Sequence, residues 1–404
     1  MSSLKYWVWL SSLSGVGVVA AKSLLSHFGT PENVFKAGAL DYAGVEGVTK
    51  SHISLLSDKN IEAANRLLAS CLELGYRVLT LQDALYPDRL KNIYDPPIVL
   101  YVRGDLPLVD DEAVVAVVGS RSCTPYGITA AENTGYRLAQ RGLVVTTGLA
   151  RGVDTAAARG ALKGGGRVIG VIGSGLDVTY PPENKRLFDD VAMSGAVVSE
   201  YGPGTPAVPA HFPARNRLLS GLALGVAVIE APKKSGALIT AARALEQGRD
   251  VFAMPGNIDA ISCEGSNALL REGAIPVLSA DDIIDEYVEL FPDKITSGEV
   301  SMRREENQSD TRGRGQEGNL CEKKEIDNAP AVDYIDLDKI LNALSGDEKV
   351  VAETIGASVL HTDEIIVRSG LPAHRVLTAL TMLEISGNAA RGNDNCFSIR
   401  NPAE

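Results

Sequence analysis

The residues best suited to chemistry gather in Phe212-Pro213-Ala214-Arg215-Asn216-Arg217-Leu218-Leu219-Ser220-Gly221, where two arginines flank an asparagine at the start of an apolar helix. Two planar guanidiniums and an amide near a helix N-terminus supply directed donors in the geometry that suits a phosphate. A structural use competes: Arg215 or Arg217 can pair with Glu200 or Glu230, each at the end of a predicted strand. Downstream, Glu230-Ala231-Pro232-Lys233-Lys234-Ser235-Gly236-Ala237-Leu238-Ile239-Thr240 again ends a strand with basic residues and opens a helix with small ones. Two further turns carry Gly119-Ser120-Arg121-Ser122 and Gly148-Leu149-Ala150-Arg151-Gly152-Val153-Asp154. Backbone N–H groups at such strand-to-helix turns are ready donors to an anion, and glycine admits close approach. Candidate ligand-binding residues are therefore Ser120, Arg121, Gly148, Ala150, Arg151, Gly152, Arg215, Asn216, Arg217, Lys233, Lys234, Ser235, Gly236 and Thr240.

Other chemistries lack their residues. Gly173-Ser174-Gly175 has Val178 where a dinucleotide fingerprint needs its third glycine, and the second strand ends in Thr146-Thr147 rather than an acidic ribose ligand. No GxxxxGK[ST] is present, which excludes a P-loop motor. Cysteines at 71, 123, 263, 321 and 396 never approach CxxC spacing, so neither a zinc site nor a disulfide framework is expected, and the chain reads as cytoplasmic. His211 stands beside the arginines without a nucleophile in the right context. Asp154, Asp177 and Glu200 end or follow strands and could form a carboxylate group, although a helix cap or an arginine partner explains each. No catalytic residue, metal or cofactor is assigned.

The elements that must position these residues follow from the apolar pattern. From Val114, short apolar runs alternate with helical stretches: Val114–Val118, Leu143–Thr147, Val168–Ile172, Ala196–Ser199, Val226–Glu230 and Val251–Met254. This is the pattern of an α/β, mostly parallel sheet flanked by crossover helices, whose ligands sit beyond the carboxyl ends of the strands. Of 40 glycines, 23 fall within 113–275, many directly after those strands, so the turns converge on one edge. Charge agrees: residues 1–112 carry 10 basic and 13 acidic side chains, 113–275 carry 16 and 13, and 276–404 carry 13 and 25, so only the middle third is basic within a net charge of −12.

At 404 residues the chain is long enough for several domains. Residues 1–75 read as short helices joined by Gly15-Val16-Gly17 and Gly44-Val45-Glu46-Gly47, turns that resemble helix-hairpin-helix units. Residues 76–291 form the α/β domain, entered through short β-rich runs at Val78–Leu81 and Ile98–Val102. Residues 292–333, hydrophilic and without periodicity, read as a flexible linker. In 334–404, Thr362-Asp363-Glu364 caps a helix ending at Gly370, Ala373–Ile385 is a second, and a β-hairpin surrounds Gly392-Asn393-Asp394, which makes a winged-helix candidate. Its second helix bears only His374 and Arg375 as basic groups, which favours a protein or structural contact over DNA. The longest apolar run, Leu218 to Ile229, is too short for a bilayer, so no membrane role is expected.

Taken in order, Gly119-Ser120-Arg121…Tyr126-Gly127, Thr147 to Asp154, Gly173-Ser174-Gly175-Leu176-Asp177…Tyr180-Pro181…Asn184, Ser199-Glu200, Phe212 to Arg217, Ser235 to Ala241 and Pro255-Gly256…Gly265-Ser266-Asn267 closely resemble the DNA-processing protein A (DprA/Smf) family across about residues 76–280. The resemblance implies an extended Rossmann-like domain that binds single-stranded DNA, forms a homodimer, and helps RecA displace single-strand-binding protein in natural transformation. It also implies that Ser120, Arg121, Gly148 to Gly152, Asn216, Arg217 and Ser235 to Thr240 form the pocket for backbone phosphates and a base. This chain departs from the family at Ala158, where a histidine often follows Asp-x-x-Ala. With aromatics at only 5%, contacts are expected mainly to phosphate, with affinity that falls as salt rises. The enzymatic alternative is a nucleotide-processing hydrolase of the lysine-decarboxylase-like phosphoribohydrolase group, of whose PGGxGT-type segment Pro232-Lys233-Lys234-Ser235-Gly236 is a partial echo.

Overall fold

The computed structural model describes residues 3–296, 344, 346–355, 360–386, 388–391 and 396–399. They fall in two compact units that divide between residues 304 and 305.

The first unit opens with helices α1 (Leu4–Ser12), α2 (Val18–Phe28), α3 (Pro31–Lys36), α4 (Ala39–Tyr42), α5 (Lys50–Leu56) and α6 (Ile61–Glu73). Strands β1 (Arg77–Thr80) and β2 (Val99–Gly104) follow, with α7 (Asp88–Lys91) between them. The alternating part then runs β3 (Val114–Val118), α8 (Pro125–Gln140), β4 (Val144–Thr147), α9 (Val153–Lys163), β5 (Val168–Val171), α10 (Lys185–Ser194), β6 (Ala196–Ser199), α11 (His211–Leu222), β7 (Gly225–Val228), α12 (Gly236–Glu246), β8 (Asp250–Ala253), α13 (Glu264–Arg271), β9 (Ile275–Pro276) and α14 (Asp281–Ile284).

All nine strands form one sheet in the order β1-β2-β6-β5-β4-β3-β7-β8-β9. From β6 to β9 the pairing is parallel. The short β-rich runs expected at Val78–Leu81 and Ile98–Val102 form β1 and β2, and they extend the sheet itself. β2 pairs antiparallel with β6, Tyr101 opposite Ser199, and β1 pairs antiparallel with β2. The chain order reverses between β3 and β7, so the loops after these strands diverge to open a crevice at the switch point.

Both sheet faces are covered, as continuous Val/Ile/Ala strands require. Alternation assigns the sides. Val115, Val117 and Val145 share one buried cluster with Leu138 of α8, Ala157 of α9, Phe188 of α10 and the N-terminal Trp9, Leu24 and Tyr42. Val114, Ala116, Val118 and Val144 pack instead with Leu218 of α11, Ala241 of α12 and Leu269 of α13. The N-terminal helices therefore share one hydrophobic core with a face of the sheet.

In the second unit, α15 (Gly346–Ile355), α16 (Thr362–Ser369) and α17 (Ala373–Ile385) pack with an antiparallel sheet of β10 (Leu360–His361), β12 (Cys396–Ile399) and β11 (Ala389–Arg391), β12 in the centre. Val351, Ile365, Val376, Leu380 and Phe397 make its core. This is the helix-turn-helix and ribbon plan of a winged helix. Most of the expected linker, from residue 297 on, and the hairpin tip at Gly392-Asn393-Asp394 lie outside the described residues.

Candidate nucleic-acid interface

The loops after β3 and β7 are tied at the switch point before they part. Ser120 N–H donates to the Glu230 carbonyl at 2.7 Å. The Glu230 carboxylate is fully buried and accepts from Thr124 N–H at 3.0 Å and Thr124 Oγ1–H at 2.6 Å, anchoring the start of α8. Beyond this tie lies a cavity of about 600 Å3, lined by the loop after β3, the start of α11 and the start of α12.

Its floor is built around Arg215. This residue is buried, donates from Nη1 to the Val171 carbonyl, and leaves Nε without a hydrogen-bond partner among the described residues. Burial pulls its guanidinium down to about 10, Asp154 resists that fall and Arg121 adds to it, so Arg215 stays charged at neutral pH. Asp154 is also buried, and burial raises its pKa against the opposing pull of Arg215 and of the Ala150 and Gly148 N–H groups. It is the only carboxylate among the described residues lining the cavity.

The loop after β4 holds this floor in place. A Cβ on Gly148 would lie 2.3 Å from Arg215 Nη1, and one on Gly152, whose φ is +73°, would lie 2.3 Å from the Ser120 carbonyl. Leu149 takes a left-handed φ of 53°, a conformation costing about 1–3 kcal/mol that its buried side chain and the Asn184 bond to its carbonyl at 3.0 Å overcome. Gly148 and Gly152 therefore position other residues and do not line the cavity themselves.

The remaining candidates separate. Ser120, Arg121, Ala150, Arg215, Asn216, Lys234, Ser235, Gly236 and Thr240 line the cavity. Asn216 Nδ2 donates to the Gly236 carbonyl at 3.3 Å and joins α11 to α12, while Ser235 caps α12 by accepting from Ala237 N–H at 3.2 Å. Lys233 stands outside, in a neighbouring groove. Arg151 is exposed and bound to Glu183. Arg217, expected to hold phosphate, points elsewhere: it makes a bidentate pair with Glu200 at 3.0 and 2.6 Å and an ion pair with Asp95 at 3.0 Å. Burial lowers its pKa, but Glu200 and Asp95 more than offset this, and the net direction is upward. The two arginines leave α11 on different sides, one toward the cavity and one toward a structural clamp.

Asp154, Asp177 and Glu200 do not assemble into one carboxylate group. Asp154 sits by Arg215, Asp177 accepts from Gly204 N–H at 2.8 Å, and Glu200 holds Arg217. His211 is equally committed, with Nδ1 3.1 Å from the Gly173 carbonyl and its ring stacked on Tyr201 at 4.0 Å.

Sequence reasoning missed an aromatic wall. Tyr180 and Phe212 lie with ring centroids 5.5 Å apart, and the Arg121 guanidinium sits 5.0 Å above the Phe212 ring. All three line the cavity. The cleft thus combines cationic donors with a π-surface able to receive a base. The signal was Tyr180-Pro181, directly after the Gly173-Ser174-Gly175 turn.

An open α/β sheet with a cationic cleft at its switch point defines a Rossmann-like ligand-binding domain. The family model of DNA recombination-mediator protein A matches residues 77–288, and that of the DprA winged helix domain matches 338–395. The chain belongs to the DprA/Smf family. It is 48% identical over 209 residues to DNA processing protein DprA of Streptococcus pneumoniae, covering 52% of this chain and 73% of that one. Protein Smf of Synechocystis is 37% identical over 287 residues, 70% of this chain and 72% of that one. The X-ray structure of the S. pneumoniae DprA aligns with a TM-score of 0.62 at 38% identity, covering 70% of this chain and 97% of that structure.

Proposed function

We propose that this protein is a non-enzymatic recombination mediator of the cytoplasm that binds single-stranded DNA in the switch-point cleft. The observation that carries the reading is the cleft's inventory: Arg121, Arg215 and Lys234 face one carboxylate, Asp154, beside the Tyr180–Phe212 surface. Cations and hydroxyls take backbone phosphates of any sequence, and a π-surface takes any base, which suits a sequence-tolerant single-strand binder. A duplex keeps its bases stacked and offers nothing to that surface.

Within this reading, residues 1–75 form a helical part, 76–291 the DNA-binding part, 292–333 a connection and 334–404 a winged helix. The family's name, DNA recombination-mediator protein A, supports a role in delivering DNA to recombination. RecA, single-strand-binding protein and a second copy of the chain, in natural transformation, are the partners we propose from the sequence resemblance. The test is a titration of labelled single-stranded and duplex oligonucleotides with wild type and Arg121→Ala. Preference for single strands, weakened in the variant with the melting temperature unchanged, is the expected result. Equal affinities for wild type and variant would overturn the site.

A further inference from the structure

The cleft does not end at α12. It shares Lys234, Ser235, Gly236 and Ile239 with a groove of about 590 Å3 along the outer face of that helix. That groove in turn shares Arg243 and Glu246 with a pocket of about 340 Å3 walled by Asn92, Tyr94 and Gln247. The shared residues set the three depressions side by side along α12, a row here called the track. Ile239, Ala242, Arg243 and Glu246 follow the i, i+3, i+4, i+7 spacing of a single helical stripe and form its bed.

The chemistry of the track matches that of the cleft it leaves. It begins at Lys233 and Lys234, next to the positive end of α12. Midway it passes Arg243, whose pair with Glu246 at 2.6 Å is exposed and easily exchanged for a phosphate. Its two carboxylates are both matched by arginines, Glu246 by Arg243 and Asp95 by Arg217. At the far end, the Tyr94 ring is 80% exposed. Gly236 to Gln247 spans about 16 Å of helix, room for several nucleotides beyond the cleft.

We propose that single-stranded DNA leaving the switch-point cleft runs along α12, its phosphates on Lys233, Lys234 and Arg243, and stacks a base on Tyr94. The assignment rests on the cleft being the primary DNA site, so the test separates the two. Full-length wild type, Tyr94→Ala, Tyr94→Phe and Arg243→Ala are titrated with oligothymidylates of about 6 and about 20 nucleotides. The short strand fills the cleft and should bind all four proteins alike. With the long strand, Tyr94→Ala should lose about five- to tenfold, Arg243→Ala about threefold, and Tyr94→Phe nothing. Equal affinity of all four proteins for the long strand would overturn the track and leave the cleft intact. Failure of the wild type to bind either strand would overturn the cleft, and the track with it.

Discussion

The switch-point cleft and the second helix of the winged-helix unit both set arginine near a helix N-terminus, yet they commit it differently. In the cleft, Arg121 sits over the Phe212 ring without a carboxylate partner among the described residues, and Arg215 keeps a free Nε at the floor. On α17, Arg375 is held by both oxygens of Asp347. The hydroxyls of Thr378 and Thr381 turn back to the carbonyls of His374 and Leu377 in their own helix. Leu377 and Met382 fill much of the rest of its exposed face. Counting basic residues already favours the region of the cleft over the winged helix. Counting donors left uncommitted points the same way, which is why the proposed DNA site is the cleft.

The same distinction acts two residues apart on α11, where it gives the largest expected effect. Arg217→Ala would strand Glu200 and the partly buried Asp95, and removing one partner of such a buried pair costs about 3–5 kcal/mol. Urea denaturation should record that loss, and any fall in DNA binding should track the fraction unfolded. A fully stable variant with specifically impaired binding would put Arg217 back in the cleft.

Next comes Arg121→Ala, which removes an exposed cation and its stacking on Phe212. Single-strand affinity should fall by about 1–2 kcal/mol, roughly five- to thirtyfold, with the denaturation midpoint unchanged. Gly148→Ala should act more weakly and indirectly. Its methyl group must displace the Arg215 guanidinium, so anisotropy should show a loss of a few-fold, about 1 kcal/mol, with a small drop in stability. The smallest effect belongs to the winged helix: the full-length double variant His374→Ala/Arg375→Ala should bind single strands within about twofold of wild type. A larger loss there than for Arg121→Ala would reverse the comparison.

Much of this was legible in the sequence because it is local. The strands from Val114 onward, the glycine turns after them and helices α16 and α17 of the winged unit follow from short-range apolar pattern and caps, whereas α15 was not read from the sequence. Their convergence on one edge follows from the rule that parallel sheets bind at their carboxyl ends. What escaped depends on partners distant in the chain. Asp95 lies 122 residues before Arg217, and no periodicity links them, so the two arginines of the Arg-Asn-Arg motif looked equivalent. The antiparallel addition of β1 and β2 is decided by which sheet edge is open once β6 is in place. The aromatic wall joins Tyr180, on the loop after β5, to Phe212 at the start of α11, and a low aromatic content concealed that two rings in the right place suffice.

The most direct test of the cleft is the salt dependence of single-strand affinity for full-length wild type and Arg121→Ala. The account predicts that log affinity falls linearly with log salt for both proteins, the variant binding more weakly and with a slope shallower by about 0.7, the share of one lost phosphate contact on a single strand. Superimposable lines of equal affinity would contradict it.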